Sequence, residues 1–258
     1  MGKIRAFLLA AGYGSRLKPY TESWPKCLMP IKNKPLLEYW LSNLVASNVN
    51  EIYINTHYLS EKVESFLKQE HLSKIAKTIY EPKLLGTAGS LRNNANKFHN
   101  KPLIVAHADN WVCTDLKKFI NYHFCRPKNT VITMMTFRTD DPESCGIVET
   151  NKQGIVTNFY EKQKFVKSNY ANGAVYIIEP EVIDFIVEKE LNDFSNDVIP
   201  NFLGRIATWE NTGIHRDIGS IESLRKAQKD NCNSSIWTFD NDWMKSFLKN
   251  NIHKELFK

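Results

Sequence analysis

The sequence has little cysteine, and what it has is scattered. Five cysteines stand at positions 27, 113, 125, 145 and 232, with no C-x-x-C pair among them. An odd, dispersed set argues against a disulfide framework and against a zinc site, and it points to a reducing compartment, the cytoplasm. No hydrophobic run approaches the roughly 20 residues that cross a bilayer, so no membrane association is expected. Met1-Gly2-Lys3-Ile4-Arg5 leads into a short apolar run without a small-residue cleavage site, which argues against a signal peptide. Position 6 is Ala6 rather than Ser or Thr, which argues against myristoylation of Gly2. Internal repeats and low-complexity segments are missing, and so is any dense Lys/Arg block. The 34 basic and 28 acidic residues are interleaved, and a net charge of +6 suits small anionic substrates better than nucleic acid.

Two common glycine loops are absent as well. No G-x-x-x-x-G-K-[ST] run occurs. Gly12-Tyr13-Gly14 begins like a dinucleotide fingerprint, but the third glycine position is Leu17, and Pro19 and Pro25 forbid a long helix directly after the turn. What stands there instead is an apolar run, Ala6–Ala11, of buried-strand length, then the glycine loop, then Arg16, Pro19, Pro25, Lys26 and Pro30. Glycines let a backbone approach a ligand and turn its N–H groups outward, which suits phosphate. Arg16 and Lys26 add positive charge on a loop that the prolines stiffen. Cys27 lies inside this loop, and a packed cysteine accounts for it better than a nucleophile does.

The composition is that of a globular protein, 42% hydrophobic and 24% charged, and 258 residues make one large α/β domain or a domain with an appendage. Strand-like and helix-like runs alternate in the first half: Ala6–Ala10, Glu51–Thr56 and Leu103–Ala106 as strands, Leu36–Ala46 and Glu61–Gln69 as helices. Such alternation implies βαβ units and a mostly parallel sheet. After Arg126 strand-like runs follow more closely: Val131–Phe137, Gly146–Thr150, Ile155–Tyr160 and Gly173–Ile178, with a hairpin turn at Asn151–Gly154. Helices are expected over Ser90–Ala95, Glu181–Glu190 and Ile221–Asp230, the last capped by Ser220. The expected organisation is one domain over 1–230, with halves over 1–110 and 130–230, and a tail over 231–258. The tail carries Trp237, Phe239, Trp243, Phe247 and Leu256 among charges; a packed helix, a dimer element and a partly ordered end all suit it.

The run G-x-G-x-R-x-x-P-x-T-x-x-x-P-K-x-x-x-P, matched without gaps from Gly12 to Pro30, resembles the sugar-1-phosphate nucleotidyltransferases. The resemblance covers about residues 3–229. It implies a Rossmann-like, mostly parallel open sheet flanked by helices with a β-rich sugar-binding insertion, residues 1–110 being the nucleotide-binding half and 130–230 the sugar-binding half. It also implies nucleotidyl transfer from a nucleoside triphosphate to a sugar-1-phosphate, with release of pyrophosphate and with Mg2+ as cofactor. By the same resemblance Arg16 and Lys26 are the catalytic cations, and Leu9, Ala11, Gly12, Gly14, Glu81, Gly86, Thr87 and Asp109 bind the nucleotide. Asp109 and Asp217 hold the metal, which fits the preference of Mg2+ for hard oxygen ligands. Asp109 follows an apolar strand, and the carboxyl ends of strands are where ligands bind in open α/β sheets. Ala108 stands where the family usually has glycine, and His107 precedes it; a packed histidine explains His107 at least as well as a metal ligand does.

The stretch Glu81–Leu91 contains Leu85-Gly86-Thr87-Ala88-Gly89, which resembles the family's base and ribose pocket, with backbone amides able to read a base edge and Glu81 able to accept from an exocyclic amine. On the sugar side, Glu161-Lys162-Gln163 resembles a Glu-Lys-Pro segment, with Gln163 replacing proline. Asn172-Gly-Ala-Val-Tyr176 and Cys145-Gly146-Ile-Val148 match two further family segments. Gly146, Glu161, Lys162 and Asn172 are thereby the expected sugar-phosphate contacts. The Leu-Gly-Thr-Ala-Gly stretch is most similar to guanylyl-transferring members, including those for mannose and manno-heptose phosphates, so GTP is the expected donor. Uridylyl, thymidylyl or cytidylyl transfer to a sugar-, amino-sugar- or choline-type phosphate is the alternative. A metal-dependent glycosyltransferase is a rival, but Asp109-Asn110-Trp111 lacks the second acid of a D-x-D pair and leaves Arg16 and Lys26 unexplained. A homodimer is compatible with the tail; no nucleic-acid partner is expected.

Overall fold

The computed structural model describes residues 4–164, 166, 168–232 and 242–257. The expectations that rest on Met1–Lys3, and on Trp237 and Phe239 of the tail, fall outside the described residues. The chain forms two compact units that interleave along the sequence.

One unit comprises Phe7–Leu84, His107–Thr114 and the described residues from Gly213 onward. Its strands Arg5–Leu9 (from Phe7 on), Ile52–Thr56 and Ala76–Tyr80 are neighbours in that order. The last two are parallel, with Ile52 opposite Ala76 and Thr56 opposite Tyr80. A parallel pair needs a crossover, here supplied by the helices Ser60–Leu67 and Glu70–Ser73. Phe7, Leu8 and Ile54 are fully buried, as central strands of a helix-covered sheet require. Helix Leu36–Ala46 lies where its apolar periodicity puts it and buries Leu37, Trp40, Leu41 and Leu44. Strand Ala76–Tyr80 has no alternating pattern to announce it: only Ala76 is buried, because it ends the strand order. A second ladder pairs Ile214–Asp217 antiparallel with Asn110–Cys113, setting Asp217 opposite Asn110. Trp111 anchors this ladder, 1% exposed and edge-on to Tyr39 at 4.6 Å.

The other unit comprises the residues up to Ala6, Leu85–Ala106 and Asp115–Thr212. Its long strand Tyr170–Ile178 runs antiparallel to Leu103–His107 and to Ile132–Arg138. Ile206–Glu210 lies parallel to Ile132–Arg138, and Gly146–Thr150 forms a hairpin with Val156–Glu161. The expected turn is there. Gly154 takes φ +73°, its N–H donates to Asn151 O, and Asn151 Oδ1 accepts from Gln153 and Ile155 N–H. Helices Leu116–Cys125 and Pro180–Glu188 bury Phe119 and Ile120, and Val182, Ile183 and Ile186, respectively. A parallel pair with crossover helices in one unit, and antiparallel pairs with one parallel pair in the other, make the chain an α/β protein with a mixed sheet, as expected. No described helix is long and apolar enough to cross a membrane.

The structure corrects the cysteine reading. Cys113 and Cys232 form a disulfide across 119 residues, joining the end of the Asn110–Cys113 strand to the segment that follows helix Ile221–Lys229. Separation in sequence hid the pair; strand pairing carries the two positions together. The inference of a reducing compartment from unpaired cysteines loses its premise. Peptide mapping without reductant should recover the Cys113–Cys232 linked pair. Cys232→Ser should lower the unfolding free energy by about 2–4 kcal/mol. Free thiols at both positions in freshly alkylated protein would refute the link.

Candidate active site

The glycine loop follows strand Arg5–Leu9 and is held from below. Ala10 N–H donates to Asn55 Oδ1 at 2.6 Å, and Asn55 Nδ2 donates to Glu81 Oε1 at 3.2 Å. Leu9 O accepts from Ala108 N–H at 3.0 Å, which ties the loop to the segment that carries Asp109. Gly14 is a steric requirement: its φ is +63°, and a Cβ there would stand 2.9 Å from Thr21 Cγ2 and 3.2 Å from Lys26 Cβ. Gly12 is different. A Cβ there would meet nothing within 4 Å, so the packing of the protein does not call for glycine at that position.

Lys26 opens a short turn after Pro25, and its side chain is only 9% exposed. Its Nζ donates to Asp109 Oδ2 at 2.6 Å and to Asp217 Oδ1 at 2.8 Å. Arg16, 72% exposed, donates from Nη2 to Asp217 Oδ2 at 3.1 Å. Two chain-distant carboxylates are thus brought to one ammonium. Burial pulls the Lys26 pKa down, but the charges of Asp109 and Asp217 and their hydrogen bonds outweigh it and hold the pKa above the ordinary lysine value. Burial pushes Asp109 up, while Lys26 and then His107 outweigh that and hold its carboxyl below the usual range. Arg16, Lys26 and Asp109, with Leu9, Ala10, Gly12, Gly14 and Gly219, line a cavity of about 210 Å³. That is below the ~300 Å³ at which pockets enclose a drug-sized ligand, and it suits phosphate groups rather than a whole nucleotide.

Cys27 is not a nucleophile. Burial, then the Asp109 charge, pushes its thiol up to about 12. Ala108, in place of glycine, is fully buried, so its methyl packs inward. Ala11 and Glu81 are also buried, at 7% and 1%, and Glu81 supports Asn55 under the loop. Gly219 carries no signal of its own in the sequence beyond its place in Asp217-Ile218-Gly219. A Cβ there would stand 2.6 Å from Arg16 Nη2 and 2.8 Å from Asp217 Oδ2, so the ion pair depends on its bareness. Among the described residues no group of three or more His, Cys, Asp or Glu is set to hold a metal. Asp109, in the turn before the Asn110–Cys113 strand, and Asp217, at the end of its partner strand, nevertheless aim two hard oxygens at one cation, the donor chemistry that Mg2+ takes.

The other unit holds the remaining expected residues. Ala88 and Gly89 N–H both donate to Asn192 O, at 2.9 and 3.1 Å, and Thr87 Oγ1 accepts from Phe194 N–H at 2.7 Å. The amide of Gly89, expected to read a base edge, is thereby committed within the protein. Gly86, at φ +80°, leaves room for the same Asn192 carbonyl, which a Cβ would approach to 2.4 Å. Gly146 lies opposite Glu161 in the ladder and makes space for its carboxylate; a Cβ would stand 2.7 Å from Oε2. Lys162 Nζ lies 3.6 Å from Glu161 Oε1, and Lys162 N–H donates to Cys145 O. The ladder slips between Asn172 and Tyr176, and Asn172 Nδ2 donates to Tyr176 OH at 2.7 Å. Burial raises the Tyr176 pKa above its ordinary value; the Asn172 and Ser195 hydrogen bonds oppose this, and the Glu161 and Asp193 charges add to it. The structure thus gathers Gly146, Glu161 and Lys162, and sets Asn172 against a buried tyrosine that the sequence reading missed.

The family model "Nucleotidyl transferase" matches residues 5–234, and the chain belongs to that family, in its sugar-1-phosphate branch. It is 30% identical over 221 residues to the mannose-1-phosphate guanylyltransferase catalytic subunit beta of Drosophila melanogaster, an alignment that covers 83% of this chain and 59% of the relative. It is 31% identical over 217 residues to a UTP–glucose-1-phosphate uridylyltransferase of Synechocystis, covering 78% of this chain and 55% of the relative. The chain therefore spans somewhat more than half the length of these curated relatives. Among solved structures, HddC from Yersinia pseudotuberculosis superposes with a TM-score of 0.73 at 24% identity, over 87% of this chain and 98% of that one, which shows the fold.

Gly219→Ala separates these pieces. The added methyl should displace the flexible Arg16 guanidinium and break its pair with Asp217, while the melting temperature moves by no more than a few degrees. A crystal structure of the variant that retained the Arg16–Asp217 distance of 3.1 Å would refute the steric argument.

Proposed function

We propose that the protein transfers a nucleoside monophosphate, GMP by preference, from a nucleoside triphosphate to a sugar-1-phosphate. The observation that carries this reading is the Lys26 ammonium held between Asp109 and Asp217 beside the glycine loop. In the reaction a phosphate oxygen of the sugar-1-phosphate bonds to the α-phosphorus. The bond from that phosphorus to the α–β bridging oxygen breaks, and pyrophosphate leaves. Both reactants are anions, so catalysis consists of positioning and charge stabilisation. Arg16, exposed and multi-pronged, meets the triphosphate; Lys26, compact and buried, answers charge developing around the α-phosphorus. Asp109 and Asp217 would hold Mg2+, which supplies Lewis-acid neutralisation of phosphate oxygens. Glu161 and Asn172 bind sugar hydroxyls, and Lys162 binds the sugar phosphate.

The guanine preference is supported by Leu85–Gly89 and by relatives named for mannose-1-phosphate guanylyl transfer. The uridylyl relative at similar identity supports the second reading, UTP as donor. Pyrophosphate release across a matrix of nucleoside triphosphates and sugar-1-phosphates decides: GTP should give the highest kcat/KM, and a clear preference for UTP, dTTP or CTP refutes the guanine assignment alone. Lys26→Ala should lower kcat by about 10²–10³-fold with little change in KM. Asp109→Ala and Asp217→Ala should abolish the magnesium requirement together with the activity; full turnover of both in EDTA would refute their role.

A further experiment addresses the sugar. Glu161→Ala and Asn172→Ala should weaken sugar-1-phosphate binding by about 1–3 kcal/mol each and leave calorimetric nucleotide binding intact. Loss of nucleotide affinity instead would assign these residues to the other substrate.

A further inference from the structure

The family match ends at residue 234, yet residues 243–257 are closely built against the segment that leads into Lys26. Trp24, two residues before Lys26, is 7% exposed and meets three rings of this C-terminal segment edge-on: Phe247 at 5.3 Å, His253 at 5.9 Å and Trp243 at 6.0 Å. Its indole N–H donates to Leu28 O, which fixes the ring across the turn that Lys26 opens. His253 is 1% exposed and stacks on Phe247 at 4.2 Å. In the tautomer with the proton on Nδ1, that N–H donates to Phe247 O at 2.7 Å, and Nε2 accepts from Ser23 Oγ–H at 3.2 Å. Ser23 Oγ accepts in turn from Asn250 Nδ2 at 3.3 Å. His253 Nε2 also lies 3.3 Å from Tyr20 O, so the ring ties the C-terminal segment to the Tyr20–Ser23 stretch at two points.

We propose that His253 is a positioning residue for Lys26: through Ser23 and Trp24 the C-terminal segment sets the entry of the Lys26–Leu28 turn, and so the place of the ammonium between Asp109 and Asp217. The geometry supports this over a purely structural tail. The latch grips Ser23 and Trp24 immediately before the turn, and Pro25 leaves little slack between them and Lys26. A buried ammonium shared by two carboxylates at 2.6 and 2.8 Å is sensitive to sub-ångström shifts of its anchor. The proposal rests on the reading of Lys26 as the catalytic cation.

The test uses His253→Ala, His253→Asn and Ser23→Ala in the full chain, each alone and in a Lys26→Ala background. His253→Ala and Ser23→Ala should lower kcat about 10-fold or more, with KM for both substrates near wild type. His253→Asn, whose amide can donate to Phe247 O and accept from Ser23, should restore most of the rate. In the Lys26→Ala background the same substitutions should leave the residual rate unchanged, because the latch acts through Lys26. An equal fold-loss in both backgrounds, or an unchanged kcat with Lys26 present, overturns the proposal. Reductive methylation followed by peptide mass gives a readout independent of turnover: His253→Ala should speed labelling at Lys26 selectively and leave exposed Lys189 unaffected. If His253→Ala unfolds, Ser23→Ala carries the same comparison. Unaltered Lys26 labelling in a folded latch variant refutes the inference, whereas Lys26→Ala with intact kcat/KM refutes the reading of Lys26 itself.

Discussion

One buried ammonium between two carboxylates is the interaction on which the unit built around the glycine loop depends. Taking a lysine out of water costs several kcal/mol unless paired charges answer it. Asp109 and Asp217 give Lys26 that answer, with Arg16 completing the set at the exposed edge. Two cations and two anions cancel, so the empty cavity carries little net charge of its own. The surrounding architecture serves this meeting: the Asn110–Cys113 and Ile214–Asp217 ladder brings the acids together, and the Pro25 turn delivers the lysine. An ammonium with two carboxylate partners is already well satisfied. In the proposed reaction Lys26 exchanges part of that coordination for phosphate oxygens, so the exact seat of its anchor matters.

The glycines make sense as places where something else must come close. Gly14 yields to Thr21 and Lys26, Gly219 to the Arg16–Asp217 pair, Gly146 to the Glu161 carboxylate and Gly86 to the Asn192 carbonyl. Gly12, in the glycine loop, faces open space instead. The same residue type therefore does two jobs in one family motif: some glycines accommodate the protein itself, and one leaves the cavity bare.

Much of this was legible in the sequence because it is local. Arg16 and Lys26 share one stiff loop, Leu36–Ala46 has unmistakable helical periodicity, and the Asn151–Gly154 turn follows from side-chain chemistry that acts within a few residues. What could not be read is long-range. No pattern near Cys113 points to Cys232. Nothing in Leu85–Gly89 says that its amides will be claimed by Asn192 rather than left for a base. Glu81 looks like an available carboxylate, and only the burial of strand-end neighbours shows it bound to Asn55 beneath the loop. Tyr176 and Gly219 matter through a ladder slip and a close approach, neither of which has a one-dimensional signature.

The unit built around the glycine loop is assembled from three separate stretches of chain, with the other unit's sequence threaded between them. Asp109 and its partner Asp217 are more than a hundred residues apart, and the disulfide spans 119. During synthesis Lys26 emerges before Asp109, Asp109 well before Asp217, and the latch around His253 after all three. A growing chain therefore holds an incompletely paired lysine until Asp217 arrives, and closing such distant pairs is slow. The charge balance and then the latch are the late events, so the site takes its final form only after the other unit's sequence has been made.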